Sequence, residues 1–314
     1  MTPPLRRICL IGEVMIELSS MDFDGNLARL GVAGDTYNTA VHLSRLLKGS
    51  GWSVEYVTLL GKDSLSDQIV ARMQAEGVST LHVGRHPDRL PGIYAIQRDG
   101  QGERSFVYWR TDSAARRLFS DGLPDLCVLD GADAVFLSLI TLAILPSEIR
   151  NALIDKLAIL RAKGCLIAFD SNYRAAIWQD VDKARLACAQ MWAATTLALP
   201  SRDDEAQLWP AESVAATLER LAAAGIDEIA LKAAAAGPVI WRGEVLPAGP
   251  FKAAAQVVDT SGAGDAFNAG YLASRLCGGN PQAAALQGHD LALHVIGQHG
   301  AIPRDQHIAD KDAG

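Results

Sequence analysis

The chain has 314 residues, 49% of them hydrophobic and 21% charged, which is enough apolar material for a substantial α/β core. Its formal charge of −7 speaks against a nucleic-acid partner. Cys9, Cys127, Cys165, Cys188 and Cys277 have neither disulfide nor metal spacing, and no apolar run is long enough to span a membrane, so a reducing cytoplasm is the expected compartment.

Ile8 to Ile16 reads as a first buried strand that ends near Gly12 and Glu13. Residues 17–30 are mixed and extended. Gly34, Asp35 and Asn38 then open a helix with apolar residues at Ala40, Val41, Leu43 and Leu46. Gly34 permits a close backbone approach, Asp35 is placed to cap the helix, and Asn38 lies one turn on. A plain helix start accounts for these residues as well as a ligand site does. A strand over 54–61 and a helix over 63–77 follow, with Ile69, Val70 and Met73 inward and Gly77 as C-cap. This βαβα order predicts a parallel sheet with helices on its faces.

The alternation then breaks. Residues 92–98 and 104–110 read as two alternating strands, with Asp99-Gly100 as a hairpin signal between them. Phe106, Tyr108 and Arg110 share one face of the second strand. An exposed hairpin with its arginine in water is the bland alternative. Strands are expected over 134–139 and 166–170, with a helix over 146–163 between them. Ser171 to Arg174 follow the carboxyl end of a strand, where open α/β sheets bind ligands, so Arg174 is placed for a carboxylate or phosphate. Ser201 and Asp204 fit a capping box. A strand ending at Lys232 leads into Ala233 to Ala236 and Gly237, and Ala253 to Ala255 form a second alanine run. A helix over 281–298 precedes a polar tail after Ile302.

The most informative stretch is Gln256 to Ala273, QVVDTSGAGDAFNAGYLA. Val257 and Val258 read as the end of a buried strand. Gly262, Ala263 and Gly264 form a small-residue turn into a helix, whose free N–H groups and dipole make an anion site. Asp265 is the carboxylate in that turn. The helix end is expected to keep it ionised, ready to take a proton from an attacking hydroxyl. No G-K-[ST] occurs in the chain, which separates this turn from the P-loop.

The signature resembles that of the ribokinase-like (PfkB) carbohydrate kinases. Gly12 to Leu18, Gly34 to Leu46, Leu90 to Arg110 and Phe169 to Arg174 are similar to the group within them that acts on 2-keto-3-deoxygluconate, and the likeness runs to Gly300–Arg304. The resemblance implies one domain over 1–314, a three-layer α/β/α fold, with a β-lid from segments near 14–36 and 90–112. It implies ATP-dependent phosphorylation of the sugar acid on its C6 hydroxyl, with Asp265 as base and Gly262, Ala263 and Gly264 as anion hole. Gly34, Asp35 and Asn38 would hold substrate hydroxyls; Tyr94, Tyr108, Arg110 and Arg174 would hold the rest of the sugar acid. Asn172, Lys232 and Gly237, with Gly262 and Gly264, would approach the nucleotide. Asp204 or Glu205 would act through water on Mg²⁺, although Ser201 stands where the family has asparagine. Ala234 replaces the first glycine of the family's K-x-G-x-x-G turn; if that position needs a positive φ, alanine costs on the order of 1 kcal/mol. A homodimer is also implied. Two alternatives stay open: a neutral-sugar kinase of the same family, and a non-catalytic sugar-acid sensor with a degenerate nucleotide loop.

Overall fold

The computed structural model describes residues 5–22, 25–98 and 104–303. Its strands are β1 (Arg6–Ile11), β2 (Met15–Asp22), β3 (Leu27–Ala33), β4 (Trp52–Leu60), β5 (Val83–Arg85), β6 (Ile93–Arg98), β7 (Arg104–Trp109), β8 (Ala134–Ser138), β9 (Leu166–Asp170), β10 (Leu197–Ala198), β11 (Glu228–Leu231), β12 (Val239–Trp241) and β13 (Val245–Leu246). The helices are α1 (Asp35–Leu46), α2 (Ser64–Ala75), α3 (Leu139–Ile144), α4 (Ser147–Ala162), α5 (Val181–Ala193), α6 (Arg202–Leu208), α7 (Val214–Ala223), α8 (Ala263–Leu276) and α9 (Pro281–Ile296).

One sheet has the order β13-β12-β11-β10-β9-β8-β1-β4-β5. From β11 to β5 its strands are parallel, and β12 and β13 turn back at one edge. Alternate residues of each strand serve opposite faces. Ile8 and Leu10 of β1 join a core with Tyr37, Val41 and Leu272, under α1 and α8. Cys9 and Ile11 join another with Leu157, Cys188 and Leu218, under α4, α5 and α7. Both faces are covered, which makes a three-layer α/β/α fold and explains the near-continuous apolar strands.

β1 pairs with β4 on one side and β8 on the other, so the chain's direction of winding reverses there. Such a switch point opens a crevice at the carboxyl ends of the strands. Glu13, Ser138 and Asn172 follow β1, lie at the end of β8 and follow β9, respectively.

The expected first strand is split. β1 stops at Ile11, because a Cβ on Gly12 would lie 2.1 Å from Thr36 Oγ1, and the chain leaves the sheet at that approach. Met15 and Ile16 open β2 in a second sheet, ordered β3-β2-β6-β7. In-register partners give that sheet one face with Glu17, Gly31, Tyr94 and Tyr108 and another with Leu18, Leu30, Ala95 and Val107. The Asp99-Gly100 hairpin turn and the end of the Gly300–Arg304 motif lie outside the described residues.

The approach to α8 also differs from expectation. Val257 and Val258 belong to no strand, and Val257 is exposed. The N–H groups of Val258 and Asp259 both donate to the Ile296 carbonyl, at 2.8 and 3.1 Å. The end of α9 therefore takes the hydrogen bonds that a sheet neighbour would have taken. Among the described residues, no helix is long and apolar enough to cross a membrane.

Candidate active site

The start of α8 is shaped by Gly262, the N-cap, at φ 73°. A side chain there would also strike Ala301, since a Cβ would come within 2.6 Å of the Ala301 Cβ. Ala263 N donates to the Thr260 carbonyl at 3.3 Å and Ala266 N to the Gly262 carbonyl at 2.8 Å. Gly264 and Asp265 occupy the N2 and N3 positions, whose N–H groups a helix leaves without internal acceptors. Asp259 fastens the turn: its carboxylate accepts from Ser261 N and Gly300 N, each at 2.9 Å.

Asp265 Oδ2 accepts from Asn38 Nδ2 at 2.8 Å. Asn38 is therefore committed to the acid, while its Oδ1 accepts from Gly34 N at 3.4 Å. Asp265 does not behave as the helix dipole alone predicts. Burial, then the charges of Asp35 and Asp170, push its carboxyl up to about 8, against the opposing pull of Asn38 and Lys232. Desolvation and two like charges outweigh a dipole effect of about 1 kcal/mol. The carboxyl therefore changes its charge near neutrality instead of staying ionised throughout.

Asp35 does not cap α1. Gly34 is the N-cap, held against β1's exit because a Cβ would lie 2.2 Å from the Glu13 carbonyl oxygen. The Asp35 carboxylate turns instead to β8 and β9. Its Oδ2 accepts from the Ser138 hydroxyl and from Asn172 Nδ2, the latter at 2.9 Å. Asn172, read from sequence as a nucleotide contact, is thus bonded to Asp35. Behind it, Asn172 N donates to Asp170 Oδ1 at 3.1 Å. Asp170 Oδ2 accepts from Lys232 Nζ and Asn268 Nδ2, both at 2.6 Å, and Lys232 Nζ reaches Asn268 Oδ1 at 3.0 Å. Lys232 also sits 3.7 Å from where a Cβ on Gly264 would be. A largely buried ammonium, paired and hydrogen-bonded, therefore lies close to the start of α8.

The four-stranded sheet brings the aromatic residues. Tyr94 and Tyr108 have ring centroids 5.7 Å apart. The Tyr94 hydroxyl donates to Glu17, and burial together with that carboxylate raises the phenol well above its usual range. The charge of Asp265 adds to that rise. Tyr108 is half-exposed; burial raises its phenol, and the nearby charges of Arg110 and Arg174 oppose the rise. Both guanidiniums are therefore close enough for their charges to act on Tyr108. Arg110 is buried and paired with Glu13, which also accepts from Ser113 Oγ at 2.5 Å. Among the described residues, Arg110 Nε has no hydrogen-bond partner. Arg174 is more open and meets Asp204 Oδ1 at 3.3 Å.

Ser201 caps α6 by accepting from Asp204 N at 3.1 Å, and its hydroxyl donates to Asp204 Oδ2 at 2.7 Å. Asp204 is raised by burial and by Asp170. Glu205 pairs with Arg220 at 2.5 Å, and burial pushes its carboxyl up to about 7. Among the described residues, no three ligating side chains gather in a metal cluster. In the alanine loop, Ala234 has φ 46° and Gly237 has φ 77°, so the condition for strain at Ala234 is met.

Glu13, Ser138, Asp170 and Asn268 join this constellation without having been given a site role from the sequence. Each is a polar residue in or beside a strongly apolar stretch, where a buried polar group requires a partner.

Residues 5–307 match the model of the pfkB family carbohydrate kinases. The chain belongs to that family. Among its pfkB relatives, a 2-dehydro-3-deoxygluconokinase of Dickeya dadantii is 43% identical over 302 residues, covering 95% of this chain and 96% of that protein. A 2-dehydro-3-deoxygluconokinase of Haemophilus influenzae is 39% identical, again over 95% of this chain and 96% of its own length. The crystal structure of 2-dehydro-3-deoxygluconokinase from Thermotoga maritima superposes with a TM-score of 0.82 at 20% identity, over 98% of this chain and 100% of that one. At that identity the likeness speaks for the pfkB fold.

Proposed function

We propose that this protein is a 2-dehydro-3-deoxygluconokinase, which transfers the γ-phosphoryl group of ATP to the C6 hydroxyl of 2-keto-3-deoxygluconate. The observation that carries this reading is the 43% identity to an enzyme of that name over 95% of this chain. The geometry supplies a mechanism. Asp265 takes the proton of the C6 hydroxyl as that oxygen bonds to phosphorus and the bond to the ADP oxygen breaks. The N–H groups of Gly262 and Gly264 serve the transferring phosphoryl charge, with Lys232 close to Gly264, while that of Ala263 is taken by the Thr260 carbonyl.

Arg110 and Arg174 balance the substrate carboxylate, and both charges are felt at Tyr108. Gly34, Asp35 and Asn38 form the hydroxyl side of the site, and Tyr94 lines it next to Glu17. Gly237 shapes the nucleotide loop. Asn172, held on Asp35, is assigned to the nucleotide side by the family likeness alone. Mg²⁺ would supply charge neutralisation on the nucleotide phosphates. Asp204, half of whose oxygens face Arg174 rather than the cap, is the better water-mediated partner; Glu205 is engaged by Arg220.

The four-stranded sheet acts as a lid within a single kinase domain. Its outer face, with Leu30, Val107 and Trp109 exposed, is the surface for a second copy, and the cytoplasm is the place of work. ADP release is measured with MgATP and 2-keto-3-deoxygluconate, fructose or ribose in parallel. Turnover with the sugar acid and none with the neutral sugars is expected. Preference for a neutral sugar would overturn the assignment of Arg110 and Arg174.

A further inference from the structure

We propose that Ser138 is a positioning residue for the sugar site: together with Asn172 it holds the Asp35 carboxylate by one oxygen, so that the other faces a substrate hydroxyl. The inference rests on the reading of Asp35 as a substrate contact and adds to it a residue and an orientation.

Ser138 is the last residue of β8 and the N-cap of α3, and it is 1% exposed. A serine at that position ordinarily turns its oxygen back to cap the helix. This one makes no side-chain cap, and its hydroxyl donates to Asp35 Oδ2 instead. The orphan N–H groups of a short helix are thus left to other partners, while the hydroxyl is spent across the crevice on a residue far away in sequence. Asn172 Nδ2 donates to the same oxygen at 2.9 Å. The two donors come from adjacent strand ends, since Ser138 is in register with Asp170. Asn172 is in turn fixed by its own N–H on Asp170, whose other oxygen holds Lys232 and Asn268. Among the described residues, no donor reaches Asp35 Oδ1.

A carboxylate gripped by two donors on one oxygen cannot rotate freely, and its second oxygen keeps a fixed direction with its lone pairs open. An oriented acceptor suits the hydroxyl of a polyol chain. Ser138 never touches the substrate; it acts through Asp35.

The test uses Ser138→Ala, Ser138→Cys, Asp35→Asn and the Ser138→Ala/Asp35→Asn double variant. Calorimetry gives the dissociation constant for 2-keto-3-deoxygluconate, and steady-state assays give kcat and both KM values. Ser138→Ala should weaken sugar-acid binding about tenfold, with the KM for ATP and kcat changed less than about twofold. Ser138→Cys keeps the size but donates weakly, so it should fall between, and it carries the test if the alanine variant does not fold. The double variant should bind no more weakly than Asp35→Asn alone. Unchanged sugar binding in both Ser138 variants, an equal rise in the KM for ATP, or multiplied effects in the double variant would overturn the proposal. Wild-type protein that neither binds nor phosphorylates the sugar acid would remove the functional reading itself, and Asp35→Asn with unchanged binding would remove Asp35 from the site.

Discussion

Replacing Ala234 by glycine is expected to stabilise the protein, although it deletes a methyl group. Ala234 sits at φ 46°, where Cβ crowds the following carbonyl oxygen of an L-residue. Its side chain is exposed, so truncation gives up no packing. Relief of the left-handed conformation is worth about 1 kcal/mol. An unfolding entropy of about 2.1 cal/mol/K per residue gives about 0.7 kcal/mol/K for 314 residues, so Tm should rise by about 1.5 °C. Gly237 provides the opposite case three residues on. It has φ 77°, and a Cβ there would lie 2.2 Å from Phe251 Cδ2. Gly237→Ala adds a displaced ring to the backbone penalty, about 2 kcal/mol or more, and Tm should fall by about 3 °C or more. Thermal unfolding followed by circular dichroism, with the three proteins in one buffer, resolves both shifts. A lower Tm for Ala234→Gly, or an unchanged one for Gly237→Ala, would refute the conformational argument.

Asp265→Asn should lower kcat by about 100-fold to 10,000-fold while sugar-acid binding is retained, as steady-state rates and calorimetry would show together. The rate should rise with pH until the Asp265 carboxyl, raised to about 8, is ionised, and then level off; a profile already flat from pH 5 would contradict the raised value. The sign for stability is reversed: the folded state resists ionisation, so Asp265 lowers stability progressively as pH climbs from the ordinary carboxylate range to about 8. Asp265→Asn should therefore raise Tm more at pH 9 than at pH 5. Arg110→Met leaves Glu13 buried without its counter-charge and should cost about 3–5 kcal/mol in denaturant unfolding, with Glu13→Gln in the same chain recovering part of the loss.

The parts of this molecule that depend on neighbouring residues were legible in the sequence. The apolar runs expected as strands over 54–61, 134–139 and 166–170 formed Trp52–Leu60, Ala134–Ser138 and Leu166–Asp170, each within two residues of its expected bounds. Gly262 to Asp265 formed the turn and helix start that small residues and an acid specify. Contacts between distant segments were not legible. An apolar pair such as Val257-Val258 has the local character of a strand, yet the Ile296 carbonyl decides its hydrogen bonding. Asp35 has the local character of a helix cap, yet Ser138 and Asn172 compete for its carboxylate. The ionisation of Asp265 depends on Asp35 and Asp170, which only the folded chain brings near. Arg110 could be placed on a strand face, but its buried partner Glu13 lies in the loop after β1.

The most direct test of the proposed reaction is the structure of its product. The protein is incubated with MgATP and 2-keto-3-deoxygluconate, and the product is examined by phosphorus-coupled NMR. A phosphate ester on the C6 oxygen, formed by the wild type and not by Asp265→Asn, is the predicted result. ADP formed at the same rate without the sugar acid, or a phosphate on any other oxygen, would contradict it.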